Sequence, residues 1–189
     1  SNVKKYMLRL FLFAIISEIP FNLIMGSSVF YPFHQNVLWT FLLGVLSIQI
    51  IEKAKKKQKK WISFFVVCLV LLMDFLLGTI TMVDYNAAGI LTVLLFYFFR
   101  KKTWISFAAQ LVGLYYLNVV MLGNLYYPVT ILGHHFEIAQ QSFALLALIP
   151  IWLYHGEQGY HSKWFKYFCY AFYPVHLLIL VVIWQWRIR

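Results

Sequence analysis

Residues 52–83 read EKAKKKQKKWISFFVVCLVLLMDFLLGTITMV: a lysine run that stops at Lys60, then more than twenty residues among which Asp74 is the only charged side chain. A segment of that length and composition crosses a bilayer as an α-helix, because about 20 residues at 1.5 Å each span a ~30 Å hydrocarbon core. The lysines ahead of it mark a polar boundary. Working outward, further apolar runs cover 6–25, 37–51, 85–99, 103–122, 138–154 and 164–186, which with 61–83 makes about seven spans. The expected fold is all-α, a polytopic transmembrane bundle, with residues 1–189 as a single transmembrane domain.

Composition leaves little room for another class. Of 189 residues, 62% are hydrophobic and 12% charged, and the mean hydropathy is +0.75. A water-soluble particle of 22.4 kDa has too much surface to hide so many apolar runs. The formal net charge of +10 resembles a nucleic-acid signal until its distribution is followed. Lys4, Lys5, Arg9, the 53–60 run, Arg100, Lys101, Lys102, Lys163 and Lys166 all fall on one side of the expected spans, and only Arg187 and Arg189 break the pattern.

The positive-inside rule then places the residue-1 end and the lysine loop in the cytoplasm of a multi-pass protein of the cell membrane. The bilayer is the expected partner, and nucleic acid is not. The lysine run also suits phosphates of a nucleotide-like donor or anionic lipid heads, but topology alone accounts for it. The tryptophans, Trp39 and Trp152 among them, cluster near span ends as interfacial anchors. Cys68 and Cys169 lie inside apolar runs, where a free thiol behaves as a small apolar group, so no disulfide is expected. The opening residues lack the features of a cleaved signal peptide and read as a cytoplasmic loop or as an internal point of a longer parent.

Ionisable groups inside spans carry the functional information, since a charge at the bilayer centre costs ~2.5 to 3.5 kcal/mol on insertion scales. They are Glu18, Asp74, Asp84 and His176. Glu18 and Asn22 share a helix face, and Pro20 between them removes the backbone bond to the Ile16 carbonyl. In the last run Lys166, Cys169, Tyr173 and His176 recur at helical spacing, beside Pro174. A neutral imidazole there is placed either to take a proton from an attacking amine or hydroxyl, worth roughly 10² to 10⁴ in rate, or to hold a neighbouring helix by a hydrogen bond. Asp74 beside Gly78 reads as a packing partner, and Asp84 as a residue near an outer boundary. His34, His134 and His135 lack the spaced carboxylate or cysteine of a metal site, and no metal is expected. Phosphate loops, GxSxG elbows and HExxH pairs are absent from the sequence.

Five blocks carry a family resemblance: residues 8–22 (LRLFLFAIISEIPFN), His34-Gln35-Asn36-Val37 with Thr40, Asp84-Tyr85-Asn86-Ala87 with Gly89, Gln141-Ser142-Phe143-Ala144, and Phe172-Tyr173-Pro174-Val175-His176. In order and content they resemble TraX-type membrane proteins, the group that includes the acetylase of conjugative pilin. The resemblance implies a membrane-embedded acyltransferase that takes an acetyl group from acetyl-CoA, as donor substrate, to the amino terminus of a pilin-like peptide or to another amine or hydroxyl acceptor.

Carried onto this chain, the resemblance implies His176 and Glu18 as catalytic residues and Arg9, Asn36, Asp84, Gln141 and Tyr173 as substrate-binding ones around a shared cavity. It also implies further N-terminal hydrophobic sequence with an Asp-His pair ahead of the block that begins here at Asn2. The other readings of the same residues are a non-catalytic transporter, in which Glu18, Asp74 and His176 form a proton or solute path, and a conjugation or pilus assembly protein.

Overall fold

The computed structural model describes residues 2–123, 125–131, 134–157, 159–160 and 162–188. Ser1, Gln158, His161 and Arg189, which enter the reading of the termini and of the 155–163 linker, lie outside the described residues. Two compact units form, Ser1–Ile90 with Gln158–Arg189, and Leu91–Glu157.

The first unit holds α1 (Val3–Gly26), α2 (Val37–Lys57), α3 (Lys60–Ile80), the start of α4 (Asn86–Phe98) and, from the far end of the chain, the helix Lys163–Ile188. α1 packs on α2 and on that last helix, and α2 packs on α3. The buried positions show why these helices associate. In α2 they are Thr40, Gly44, Ser47, Ile51 and Ala54, and in α3 Ser63, Val70, Asp74 and Gly78. Both sets follow one helix face, and most members are small or polar, while Phe64, Phe65, Leu69 and Leu72 on α3 point outward.

That arrangement inverts the soluble pattern. Lipid tails are as apolar as leucine, so transmembrane helices gain nothing by hiding leucine from them. They associate through close backbone approach and interhelical hydrogen bonds instead. Ser47 Oγ donates to Asp74 Oδ1 at 2.7 Å across α2 and α3, and Ser63 Oγ donates to the Ala54 carbonyl at 3.0 Å. A Cβ at Gly78 would stand 2.6 Å from the Ala87 Cα, so the small residue lets α4 begin against α3.

The second unit contains the rest of α4, then α5 (Trp104–Tyr115) running on as a π-helical segment Tyr116–Met121. The antiparallel hairpin β1 (Tyr126–Ile131) and β2 (His134–Ala139) pairs Tyr126 with Ala139, and a 3-10 stretch Gln140–Ala147 leads into α6 (Leu148–Leu153). Gln110 clamps this unit: its Oε1 accepts from Trp152 Nε1 at 2.7 Å and its Nε2 donates to the Phe99 carbonyl at 2.8 Å. Lys102 caps the end of α6 through the Trp152 and Tyr154 carbonyls. The helix Lys163–Ile188 is α7.

The all-α class holds, with helix over 75% of the structure and one hairpin added. The span count differs from the expected seven. Among the described residues, five helices are long and apolar enough to cross a membrane: Val3–Gly26, Val37–Lys57, Lys60–Ile80, Trp104–Met121 and Lys163–Trp186. Two of the expected runs are shorter helices, Asn86–Phe98 and Gln140–Leu153.

The reasons are local. Tyr85 and Asn86 take positive φ, 61° and 48°, which stops α4 from extending backward, and its 13 residues reach only about 20 Å. The run from 138 starts inside β2, where Ile138 and Ala139 are committed to strand pairing. Conversely α2 continues past Ile51 to Lys57. Lysine is a good helix former, and the Lys55, Lys56 and Lys57 charges suit the negative end of the helix dipole. Much of the expected lysine loop is therefore helix.

The Ser47–Asp74 bond gives a direct measure of helix association. A double-mutant cycle of Ser47→Ala and Asp74→Ala, read by unfolding in detergent micelles, is expected to return a coupling of about 0.6 and at most roughly 1.7 kcal/mol. A coupling indistinguishable from zero would mean the contact does not hold α2 to α3.

Candidate functional site

The site forms where α2 begins. After α1 the chain turns at Ser27, in the left-handed region at φ 51°, and runs without helix to Asn36. Asn22 Nδ2 donates to the Val29 carbonyl at 3.2 Å, holding the start of this segment. Its end is held from the other side. The Gln35 amide donates to the Met82 carbonyl and the Asp84 amide to the Gln35 carbonyl, both at 2.9 Å, and Gln35 and Val83 form a parallel bridge.

Asn36 is fully buried and uses its whole carboxamide. Oδ1 accepts from the Leu38 amide at 3.1 Å, capping α2. Nδ2 donates to the Ala14 carbonyl at 2.9 Å and to the Glu18 carboxylate. α2 therefore starts beside the middle of α1, and the last turns of α1 continue past it by about 12 Å. Phe11 meets the Trp39 ring edge-on at 5.7 Å, in line with that placement. Non-helical backbone beside the middle of a spanning helix is tolerated only where protein or a polar cavity surrounds it, and here the 82–84 segment and α1 do so.

Glu18 sits against the first turn of α2, the positive end of its dipole. Its Oε2 accepts from Asn36 and from Trp39 Nε1, the latter at 3.0 Å, while Oε1 is buried without a hydrogen-bond partner. Asp84 comes from the α3–α4 connection. Its carboxylate lies 3.2 Å from His34 Nε2, and its carbonyl accepts from Thr40 Oγ1 at 2.8 Å. Gly89 allows this contact, since a Cβ there would stand 2.7 Å from Thr40 Cγ2. Burial, and then the neighbouring Asp84 charge, hold the Tyr85 phenol above its ordinary value. From α7 the Tyr173 phenol reaches the Val37 backbone N–H and stands in the field of Glu18, Asp84 and Tyr85.

Next to Tyr173 opens a cavity of about 90 Å³ whose lining includes Arg9, Phe13, Leu38, Cys169, Tyr170 and Tyr173. The Arg9 guanidinium lies over the Tyr170 ring at 5.4 Å, and Phe13 stacks on that ring. Such a volume holds several waters or a small acyl group. Drug-sized ligands use pockets of roughly 300 to 1,000 Å³, so a whole nucleotide-bearing donor would not fit.

Glu18, Asn36, Asp84 and Tyr173 are thus brought together, and Arg9 borders the adjoining cavity. Gln141 belongs to the 3-10 stretch of the second unit. His176 lies one turn beyond Tyr173, with Nδ1 donating to the Phe172 carbonyl of its own helix at 3.1 Å and its ring stacked on Phe172. Two residues gain roles the sequence did not suggest. Trp39, read as an interfacial anchor, donates to Glu18, and His34, weighed for metal binding and quoted in a family block without a role, pairs with Asp84. The signal for Trp39 was its place three residues after an Asn at a helix start, on the first turn. Asp84 is a partnered residue rather than a solvated one, with its side chain 23% exposed.

The family model TraX, described as TraX protein, matches residues 1–184. No curated protein and no solved structure matches the chain.

Asn36→Ala leaves the Ala14 carbonyl, the Leu38 amide and Glu18 short of a partner at once. Burying unsatisfied groups costs about 1–3 kcal/mol each, so a loss of at least roughly 2 kcal/mol is expected on unfolding in detergent. A loss below about 0.5 kcal/mol would show that Asn36 does not pin α2 to α1.

Proposed function

This multi-pass membrane chain belongs to the TraX family, and on that basis we propose that it is a membrane-embedded acyltransferase. It moves an acetyl group from a thioester donor, acetyl-CoA, to an amine or hydroxyl acceptor. The amino terminus of a pilin-like peptide is the acceptor that the family points to. The observation that carries the proposal is the convergence of Glu18, Asn36, Asp84 and Tyr173, from four separate elements, on the start of α2.

Each group has work to do in acyl transfer. The unpartnered Oε1 of Glu18 accepts an N–H or ammonium of the acceptor and fixes its position. The Tyr173 oxygen takes the Val37 N–H and leaves its own O–H to donate to the oxyanion of the tetrahedral intermediate, and stabilising that charge is usually the greatest single contribution to catalysis in such reactions. The adjoining cavity takes the acetyl group. Among the described residues of the unit, His34 and His176 lie beside or near this cluster as candidates for proton transfer. With the basic ends of α1, α2 and α7 in the cytoplasm, the donor arrives from that side and its nucleotide part stays outside the cavity.

A second reading also draws on the non-helical segment 27–36: non-helical backbone at membrane depth commonly lines the solute sites of transporters. On that reading the family's link to conjugation reflects transport or pilus assembly rather than chemistry. Membranes carrying the natural full-length protein separate the two when incubated with radiolabelled acetyl-CoA and a panel of amine and hydroxyl acceptors. Label transfer is expected, falling about 10²-fold in Tyr173→Phe and further in a Glu18→Ala, His176→Ala double variant. Transfer that persists unchanged in the double variant contradicts the site, and no transfer by verified folded protein favours the transporter or assembly reading.

A further inference from the structure

The two histidines differ in which nitrogen is free. His176 spends Nδ1 on the Phe172 carbonyl, which can only accept, so its proton sits on Nδ1 and points back into its own helix. Its ring also lies stacked on Phe172, 5.2 Å between centroids and 14° from parallel. His34 has the reverse arrangement. Its Nε2 faces the Asp84 carboxylate at 3.2 Å, so in the neutral ring Nε2 carries the proton and Nδ1 keeps the lone pair.

A carboxylate behind a histidine does two things. It fixes the tautomer and ring orientation, and it stabilises the imidazolium that forms when the other nitrogen accepts a proton. A backbone carbonyl does the first and, lacking a full charge, the second only weakly. Asp84 is itself anchored, since its amide donates to Gln35, next to His34, and its carbonyl accepts from Thr40. The His34 ring rests against Phe21 of α1 at 5.5 Å, and its side chain remains 38% exposed. Of the titratable groups around the pair, Tyr85 from the α3–α4 connection and Tyr173 from α7 stand in the field of Asp84.

Resting on the acyltransferase reading, we propose that His34, oriented by Asp84, is the general base of the reaction. The acceptor nitrogen or oxygen attacks the thioester carbonyl and gives its proton to His34 Nδ1, and the carbonyl electrons move to the oxygen that Tyr173 faces. When the intermediate collapses, the carbon–sulfur bond breaks and the thiolate takes the proton back from His34. The products are the acetylated acceptor and free thiol. Asp84 is a positioning residue, touching His34 and not the substrate.

Two measurements on the natural full-length protein test this. Nitrogen-15 NMR of histidine-labelled protein is expected to show the neutral His34 ring as the Nε2–H form, shifting toward a tautomer mixture in Asp84→Asn. An Nδ1–H ring in the wild type would overturn the proposal whether or not activity is found. In acetyl transfer, His34→Gln is expected to lower kcat roughly 10²- to 10⁴-fold with the donor KM little changed, and Asp84→Asn to lower it less. Added imidazole is expected to restore part of the rate in His34→Gly, which a structural role would not allow. Wild-type kcat in His34→Gln would overturn the base assignment and leave the acyltransferase reading standing, whereas no transfer by the wild type would overturn both.

Discussion

The carboxamide of Asn36 holds three polar groups: the Leu38 amide at the start of α2, the Ala14 carbonyl of α1 and the carboxylate of Glu18. Each of these left short of a partner costs about 1–3 kcal/mol, so the bonds fix where α2 begins along α1 rather than merely decorating the contact. Because α2 starts beside the middle of α1, residues 27–36 must come back along the helix they have just left. That return places His34 and Gln35 against the 82–84 segment. The α3–α4 connection is drawn in by the same backbone pairing, and it brings Asp84 and Tyr85 with it.

Once the start of α2 is fixed, the electrostatics follow. The positive end of a long helix meets Glu18, which also accepts from Trp39, and the Val37 N–H is left for the Tyr173 phenol on α7. The surrounding helices leave room for this because their inner faces are small, at Gly44, Ser47, Gly78 and Gly89, while their large apolar side chains point outward. Polar chemistry inside the first unit is thus a consequence of inside-out packing, in which hydrogen bonds and close backbone approach replace buried leucine.

The long helices were legible in the sequence because a bilayer demands a property that local composition records: about twenty apolar residues without interruption. Positions 85–99 and 138–154 satisfied the composition and not the geometry. The left-handed backbone at Tyr85 and Asn86 and the pairing of Ile138 and Ala139 into a strand are set by contacts with other segments, which hydropathy does not encode. Glu18, Asn36, Asp84 and Tyr173 stood out as polar groups in apolar surroundings, and the structure gathers them. His34 did not stand out, since its partnership with Asp84 exists only through the Gln35–Val83 bridge between segments far apart in the chain. Trp39 was hidden by its type, because tryptophan near a span end is so often an anchor that its N–H passes unnoticed.

The whole site depends on the 34–38 segment being pinned inside the helical unit rather than lying as a solvated loop above it. Amide hydrogen exchange of the protein in lipid nanodiscs measures this directly. Slow exchange is predicted at Gln35, Leu38 and Asp84, whose N–H groups are held by Met82, Asn36 and Gln35, and their protection should be lost together in Asn36→Ala. Exchange at these three amides as fast as in an unstructured peptide would contradict the placement of α2 and, with it, the site.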